Sequence, residues 1–179
     1  NMARWAVVTG AGTGIGAALA RELLRAGVNV VAVGRREAPL DELRLSVVAA
    51  PGVLKTISAD VASTAGQEAI AAALPELGPL HFLVNNAGVG VPDRIENVTL
   101  RDFEQAMAVN VTGPLFLTQK LLPRLRACGG EARVLNIGSG IADKVQSGTG
   151  TYGISKKALH RLTLQMANEL SVESEVAGK

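Results

Sequence analysis

Between an apolar run at Trp5–Thr9 and an amphipathic stretch at Ala17–Ala26, the chain carries Gly10-Ala-Gly-Thr-Gly-Ile-Gly16. Glycines packed this densely at such a junction point to a strand, a tight loop and a helix whose free N–H groups and dipole favour an anion such as a pyrophosphate. Gly10 makes the turn, Gly14 lets the backbone approach the ligand, and Gly16 allows close packing of the helix, because none carries a Cβ. A merely tight βα turn would usually need only two glycines. Gly12, Thr13 and Ile15 complete the candidate cradle.

The rest of the chain continues the alternation. Val28–Val33 is the β-branched run expected of a parallel strand covered on both faces. Leu54–Ala59, His81–Val84 and Arg133–Ile137 read as further strands, and a helix is predicted from Thr64 to Leu74, opening on a Thr64/Gln67 capping box. A long helix is predicted from Leu100 to Arg126. Another runs from Tyr152 to Leu170 with Ile154, Ala158, Leu162 and Gln165 in one sector. This pattern predicts an α/β fold, a doubly wound parallel sheet of the Rossmann type, in a single domain over residues 1–179.

Composition narrows the partners. The chain is 47% hydrophobic, but its apolar residues are spread out, with no uninterrupted run of about 18, so no membrane span is expected. A net charge of +2 without a basic block leaves no electrostatic footprint for nucleic acid. The single cysteine, Cys128, has no internal disulfide partner, which agrees with a reducing, cytoplasmic setting. Small-molecule partners are therefore expected, and no metal site is predicted.

Four further motifs follow in order: Asn85-Asn86-Ala87-Gly88 after the fourth strand, Asn110 in the next helix, Ser139 after the fifth strand, and Tyr152-x-x-x-Lys156. Together with TGxxxGxG, this ordered set, from Trp5 to about Leu170, resembles the compact branch of the short-chain dehydrogenase/reductase family. The resemblance implies a nicotinamide-dependent oxidoreductase with Asn110, Ser139, Tyr152 and Lys156 as its catalytic tetrad. It places Asp60, Val61, Asn86, Ala87 and Gly88 in the cofactor site with the glycine loop, Tyr152 and Lys156. Asn85 is taken as structural. A homodimer or homotetramer is implied as well. The family's later strands do not follow in this sequence, so the domain is expected to be incomplete at its C-terminus, with an open apolar edge on the fifth strand.

Some of the chemistry follows from the residues themselves. Positions i and i+4 share a helix face, so Lys156 can set its ammonium beside Tyr152 and favour a phenolate. A free phenol ionises near pH 10, so acid/base work near neutrality needs such a cation. Tyr152 would exchange a proton with a carbonyl or alcohol oxygen while hydride moves, and Ser139 would hold that oxygen in place. Hydrolysis is not indicated: no G-x-S-x-G elbow surrounds Ser139, and His81 and His160 read as structural. Pro114 cannot donate to the carbonyl of Asn110 four residues earlier, and in the family the corresponding asparagine holds a water leading to the lysine. Asp60 can bind adenine or cap the next helix.

Arg35 and Arg36 end the second strand where a 2′-phosphate would lie, favouring NADP over NAD, although Glu37 could accept ribose hydroxyls instead. Gly90, Val91, Gly140, Ile141, Asp143, Lys144 and Val145 are expected to border the substrate opening, Asp143 and Lys144 hinting at a polar substrate group. Two functions remain: an NADP(H)-preferring carbonyl reductase or alcohol dehydrogenase, and a catalytically inactive dinucleotide-binding module acting through protein association.

Overall fold

Among the described residues, five parallel strands form one sheet in the order β3-β2-β1-β4-β5: β1 (Trp5–Thr9), β2 (Asn29–Gly34), β3 (Leu54–Ser58), β4 (Phe82–Asn85) and β5 (Arg133–Asn136). The doubly wound parallel sheet expected from the strand pattern is thus present. The computed structural model describes residues 3–74 and 78–176, so the expected domain limits at residues 1 and 179 lie outside the described residues. It divides into two compact units, one of Asn1–Ala87 with Phe116–Ile137, the other of Gly88–Leu115 with Gly138–Lys179.

The first unit holds the sheet. Ala6, Val8, Val30, Ala32 and Val84 pack with Ala20 and Leu24 of α1 (Gly14–Arg25) and with Leu40 and Leu43 of α2 (Glu37–Ser46). Alternation along the strands puts Val7, Val31, Val33 and Leu83 on the opposite face, all at or near zero exposure. β1 and β2 are accordingly apolar at almost every position, as strands covered on both sides must be. α3 (Thr64–Ala72) and α5 (Gly113–Arg126) are joined by a Lys120–Glu68 ion pair of 3.5 Å, and α5 buries Leu117, Leu121 and Leu125 at four-residue spacing. β5 closes the order, and Leu135 upon it is 49% exposed.

Local chemistry sets the element ends. Gly27, at φ 77°, ends α1: its N–H reaches the Leu24 carbonyl and that of Val28 the Leu23 carbonyl. α3 starts one residue earlier than a Thr64 cap allows, because Ser63 Oγ accepts from Gly66 N at 3.0 Å while Gln67 is turned inward to donate to the Val61 carbonyl at 2.8 Å. α2 has no counterpart in the expected elements.

The second unit contains α4 (Leu100–Met107), a π-helical turn at Ala108–Thr112, a short 3₁₀ turn at Gly140–Asp143 and α6 (Gly150–Val176). Thr99 caps α4, accepting from Asp102 N at 3.2 Å and donating to Asp102 Oδ2 at 2.6 Å. The helix expected from Leu100 to Arg126 is thus interrupted by the wider turn around Asn110. The buried stripe of α6 is Thr151, Ser155, Lys156 and Leu159, not the sector through Ile154, which is 47% exposed. No helix among the described residues is long and apolar enough to cross a membrane.

Asn85, 3% exposed, ties β4 to α5 and β5 by donating to Thr118 Oγ1 at 3.2 Å and to Asn136 Oδ1 at 2.8 Å. Asn85→Ala leaves both acceptors short of a donor in a buried setting. A loss of about 1–3 kcal/mol is expected, read as a lower urea midpoint at unchanged m-value.

Candidate active site

In the first unit the glycine loop is interlocked with the chain leaving β4. Thr9, 2% exposed, donates its hydroxyl to the Val84 carbonyl at 3.3 Å and accepts from the N–H groups of Asn86 and Ala87, each at 3.0 Å. The Asn86 carboxamide donates back to the carbonyls of Thr9 (2.9 Å) and Gly10 (3.2 Å). Gly10 adopts φ +63°, and a Cβ there would lie 2.9 Å from the Ala87 Cα. A Cβ on Gly16 would lie 2.4 Å from both Asn86 Nδ2 and the Gly10 carbonyl oxygen. Gly16 is therefore needed for the packing of loop and Asn86 upon the helix start, more than for a strand contact.

What the loop offers is an uncapped helix end. Thr13 stands at the N-cap of α1 without a side-chain hydrogen bond, and no acidic residue occupies the first turn. Gly14, at φ +55°, has open space where a Cβ would be, Ile15 is 65% exposed, and Gly12 rests on Pro39. First-turn N–H groups without side-chain partners suit a phosphate. A dinucleotide's pyrophosphate thus fits the residues present. Arg35 and Arg36 are exposed, Arg36 at the N-cap of α2, and neither forms a salt bridge among the described residues. Asp60 accepts from Ala62 N at 2.9 Å through one carboxylate oxygen, and Val61 is buried.

All four residues of the candidate tetrad lie in the second unit. Asn110 is fully buried; its Oδ1 accepts from Val89 N at 2.9 Å, and its Nδ2 donates to the Val89 carbonyl at 2.7 Å and to Ser155 Oγ at 2.9 Å. Ser155 Oγ in turn donates to the Tyr152 carbonyl at 2.8 Å. The side chain expected to matter through its main-chain carbonyl therefore also works as a strut between the chain after β4 and the first turn of α6. The π-turn that carries it is closed by Gly113 N and Thr112 Oγ1, both donating to the Ala108 carbonyl.

Lys156 is 3% exposed, and its Nζ lies over the Tyr152 ring at 5.6 Å from the centroid. Burial pushes its ammonium below the usual lysine range. Ser139 caps the 3₁₀ turn, its Oγ accepting from Ile141 N at 3.4 Å. That turn rests on α6: a Cβ on Gly153 would lie 3.5 Å from the Ile141 carbonyl, and Asp143 meets Lys157 at 2.5 Å. The hydrogen bond from Lys157 holds Asp143 below the usual carboxylate range, so its charge serves the turn. Gly88 is exposed at the start of this unit. The hydrogen-bonding roles of Thr9 and Ser155 are contributions that sequence reasoning missed; the polar residue heading the glycine motif and the serine three places after Tyr152 were the available signals.

Residues 4–176 match the family described as short chain dehydrogenase. The chain is 42% identical over 175 residues to the rhamnolipids biosynthesis 3-oxoacyl-[acyl-carrier-protein] reductase of Pseudomonas aeruginosa, covering 93% of this chain and 67% of that protein. It is 36% identical over 167 residues to the L-xylulose reductase of Mesocricetus auratus, covering 93% and 66%. A solved metagenomic short-chain oxidoreductase in complex with NADP superposes with a TM-score of 0.89 at 31% identity, covering 95% of this chain and 78% of that one. The chain belongs to the short-chain dehydrogenase family. It spans about two thirds of the length of these two curated relatives.

The buried lysine has a consequence for stability. Because the folded chain releases the Lys156 proton at lower pH than the unfolded chain, the unfolded state binds more protons between that lowered value and the ordinary lysine value of about 10.4. The contribution of Lys156 to stability therefore rises with pH across that interval and is lost as pH falls below it. Urea midpoints taken over a pH series without nucleotide should show wild type gaining on Lys156→Met as pH rises. Parallel curves would contradict the assignment.

Proposed function

We propose that this chain forms the dinucleotide-binding and catalytic part of an NADP(H)-preferring short-chain oxidoreductase acting on a carbonyl or alcohol, with Tyr152 as the acid/base. The observation that carries the reading is the desolvated Lys156 ammonium over the ring of Tyr152, on a helix turn braced by Asn110 and Ser155. Bound nicotinamide supplies or accepts the hydride. In reduction, the Tyr152 hydroxyl gives its proton to the substrate oxygen and Ser139 Oγ donates a second hydrogen bond to it. Lys156 opposes the negative charge that proton loss leaves on Tyr152. In oxidation the same groups run in reverse, Tyr152 taking the alcohol proton.

The uncapped start of α1 would hold the pyrophosphate, and Arg35 with Arg36 would take a 2′-phosphate through charge-assisted hydrogen bonds. Two relatives named as reductases, and a solved relative in complex with NADP, support this direction and this cofactor. Asp60, Val61, Asn86, Ala87 and Gly88 complete the proposed nucleotide site. Function as a single domain, in a homodimer or homotetramer of the cytoplasm, belongs to the same proposal.

Tyr152→Phe should lower turnover by about 10²–10⁴-fold while leaving NADPH affinity, measured by fluorescence titration, within about twofold. Unchanged turnover would sink the acid/base role, and dinucleotide binding without turnover over a broad carbonyl panel would favour the inactive module. Michaelis constants are expected to be at least about tenfold lower for NADPH than for NADH, a gap that Arg35→Ala/Arg36→Ala narrows; a preference for NADH would reverse the cofactor assignment.

A further inference from the structure

Gly90 lies two residues beyond the Asn85-Asn86-Ala87-Gly88 motif, in the second unit, and its conformation is not the left-handed one that would call for glycine. Space is the constraint. A Cβ at this position would lie 2.8 Å from Cδ2, 3.0 Å from Cγ and 3.2 Å from Cβ of Tyr152. Two of those atoms form the root of the tyrosine side chain, so clearing them takes rotation of the whole side chain and not a shift of a flexible tip. By contrast, a Cβ on Gly138 or Gly140 would meet nothing within 4 Å.

Neither partner in this contact can easily withdraw. Val89, next to Gly90, has its N–H and carbonyl both held by Asn110. On the other side, Asn110 grips Ser155, which grips the Tyr152 carbonyl, while Thr151 and Ser155 are 2% and 0% exposed. With both backbones braced by one carboxamide, an added methyl is relieved mainly by rotation of the tyrosine side chain. The hydroxyl is the far end of that lever, and Lys156 sits over the same ring.

We propose that Gly90 is a positioning residue: its bare backbone forms the wall against which the Tyr152 ring is seated, and so it sets where the phenol hydroxyl points. The inference rests on the acid/base reading of Tyr152 for its kinetic consequence, but not for its structural one. Displacements on the scale of an ångström at a reacting group cost up to about a hundredfold in rate.

Tyr152 is the only tyrosine of the chain, so its ring can be watched directly. In protein carrying 3-fluorotyrosine, the ¹⁹F spectrum reports Tyr152 alone. Gly90→Ala should move that signal, lower kcat by about 10–100-fold and leave NADPH affinity within about twofold, with far-ultraviolet circular dichroism unchanged. An unmoved ¹⁹F signal, or a kcat equal to wild type, overturns the proposal. Should Gly90→Ala fail to fold, the wild-type chain decides: a nuclear Overhauser effect between the Gly90 α-protons and the Tyr152 ring supports the seat, and its absence overturns it. Retained turnover in Tyr152→Phe would defeat the acid/base reading alone, since the fluorine signal still reports whether Gly90 seats the ring.

Discussion

One buried carboxamide holds the candidate active site in shape. After β4 the chain leaves the sheet, and the peptide groups of Val89 have no strand neighbour to pair with. The Asn110 side chain, which carries an acceptor and two donor hydrogens, replaces that neighbour on both sides and still has a hydrogen for Ser155. Such a group is costly to remove, because each buried backbone partner left unsatisfied costs about 1–3 kcal/mol. The π-turn at Ala108–Thr112 is the helix geometry that carries this side chain. Pro114, lacking an N–H, has already disrupted the ordinary ladder there, so widening the turn gives up less than it would elsewhere.

The first unit uses the same principle at its glycine loop. Thr9 saturates its hydroxyl with one donated and two accepted hydrogen bonds, and Asn86 returns two more to the loop. The loop is thereby ordered by side chains beneath it and not by a cap on α1, whose first turn stays available to an anion. A capped start, such as Ser63 gives α3 or Thr99 gives α4, would be as stable in itself but would occupy the donors that a phosphate needs.

How much of this could be read from residues alone depends on what buries each segment. β1 is legible to the residue, and the other strands to within a residue at either end: β1, β2 and β4 are covered on both faces and so are largely apolar, whereas the outer strands β3 and β5 show only short apolar segments. α2 was missed: Pro39 in its first turn disguises a helix start, where a missing N–H costs little, and only Leu40 and Leu43 mark its buried side. The face of α6 was misplaced for a more instructive reason. Periodicity seeks an apolar stripe, whereas here three of the four most buried residues near its start are polar, made tolerable by contacts from elsewhere in the fold. The motif residues were visible, but the contacts that support them, through Ser155 and Gly90, depend on spatial neighbours that spacing does not reveal.

That inversion on α6 carries its own information. Ile154 faces outward while Lys156, two residues on, is buried, which is the reverse of what stability alone would select. Desolvation disfavours the charged lysine, yet the ring face of Tyr152 beneath it and any negative charge arising on that tyrosine both favour it. The ring also fixes where the ammonium sits, with Nζ 5.6 Å from its centroid. A lysine at the surface would be screened by water and would feel the ring only weakly. Burial of the charge costs the chain stability at neutral pH, and a helix that gives an apolar position to a lysine holds a perturbed group of the kind that clusters at functional sites.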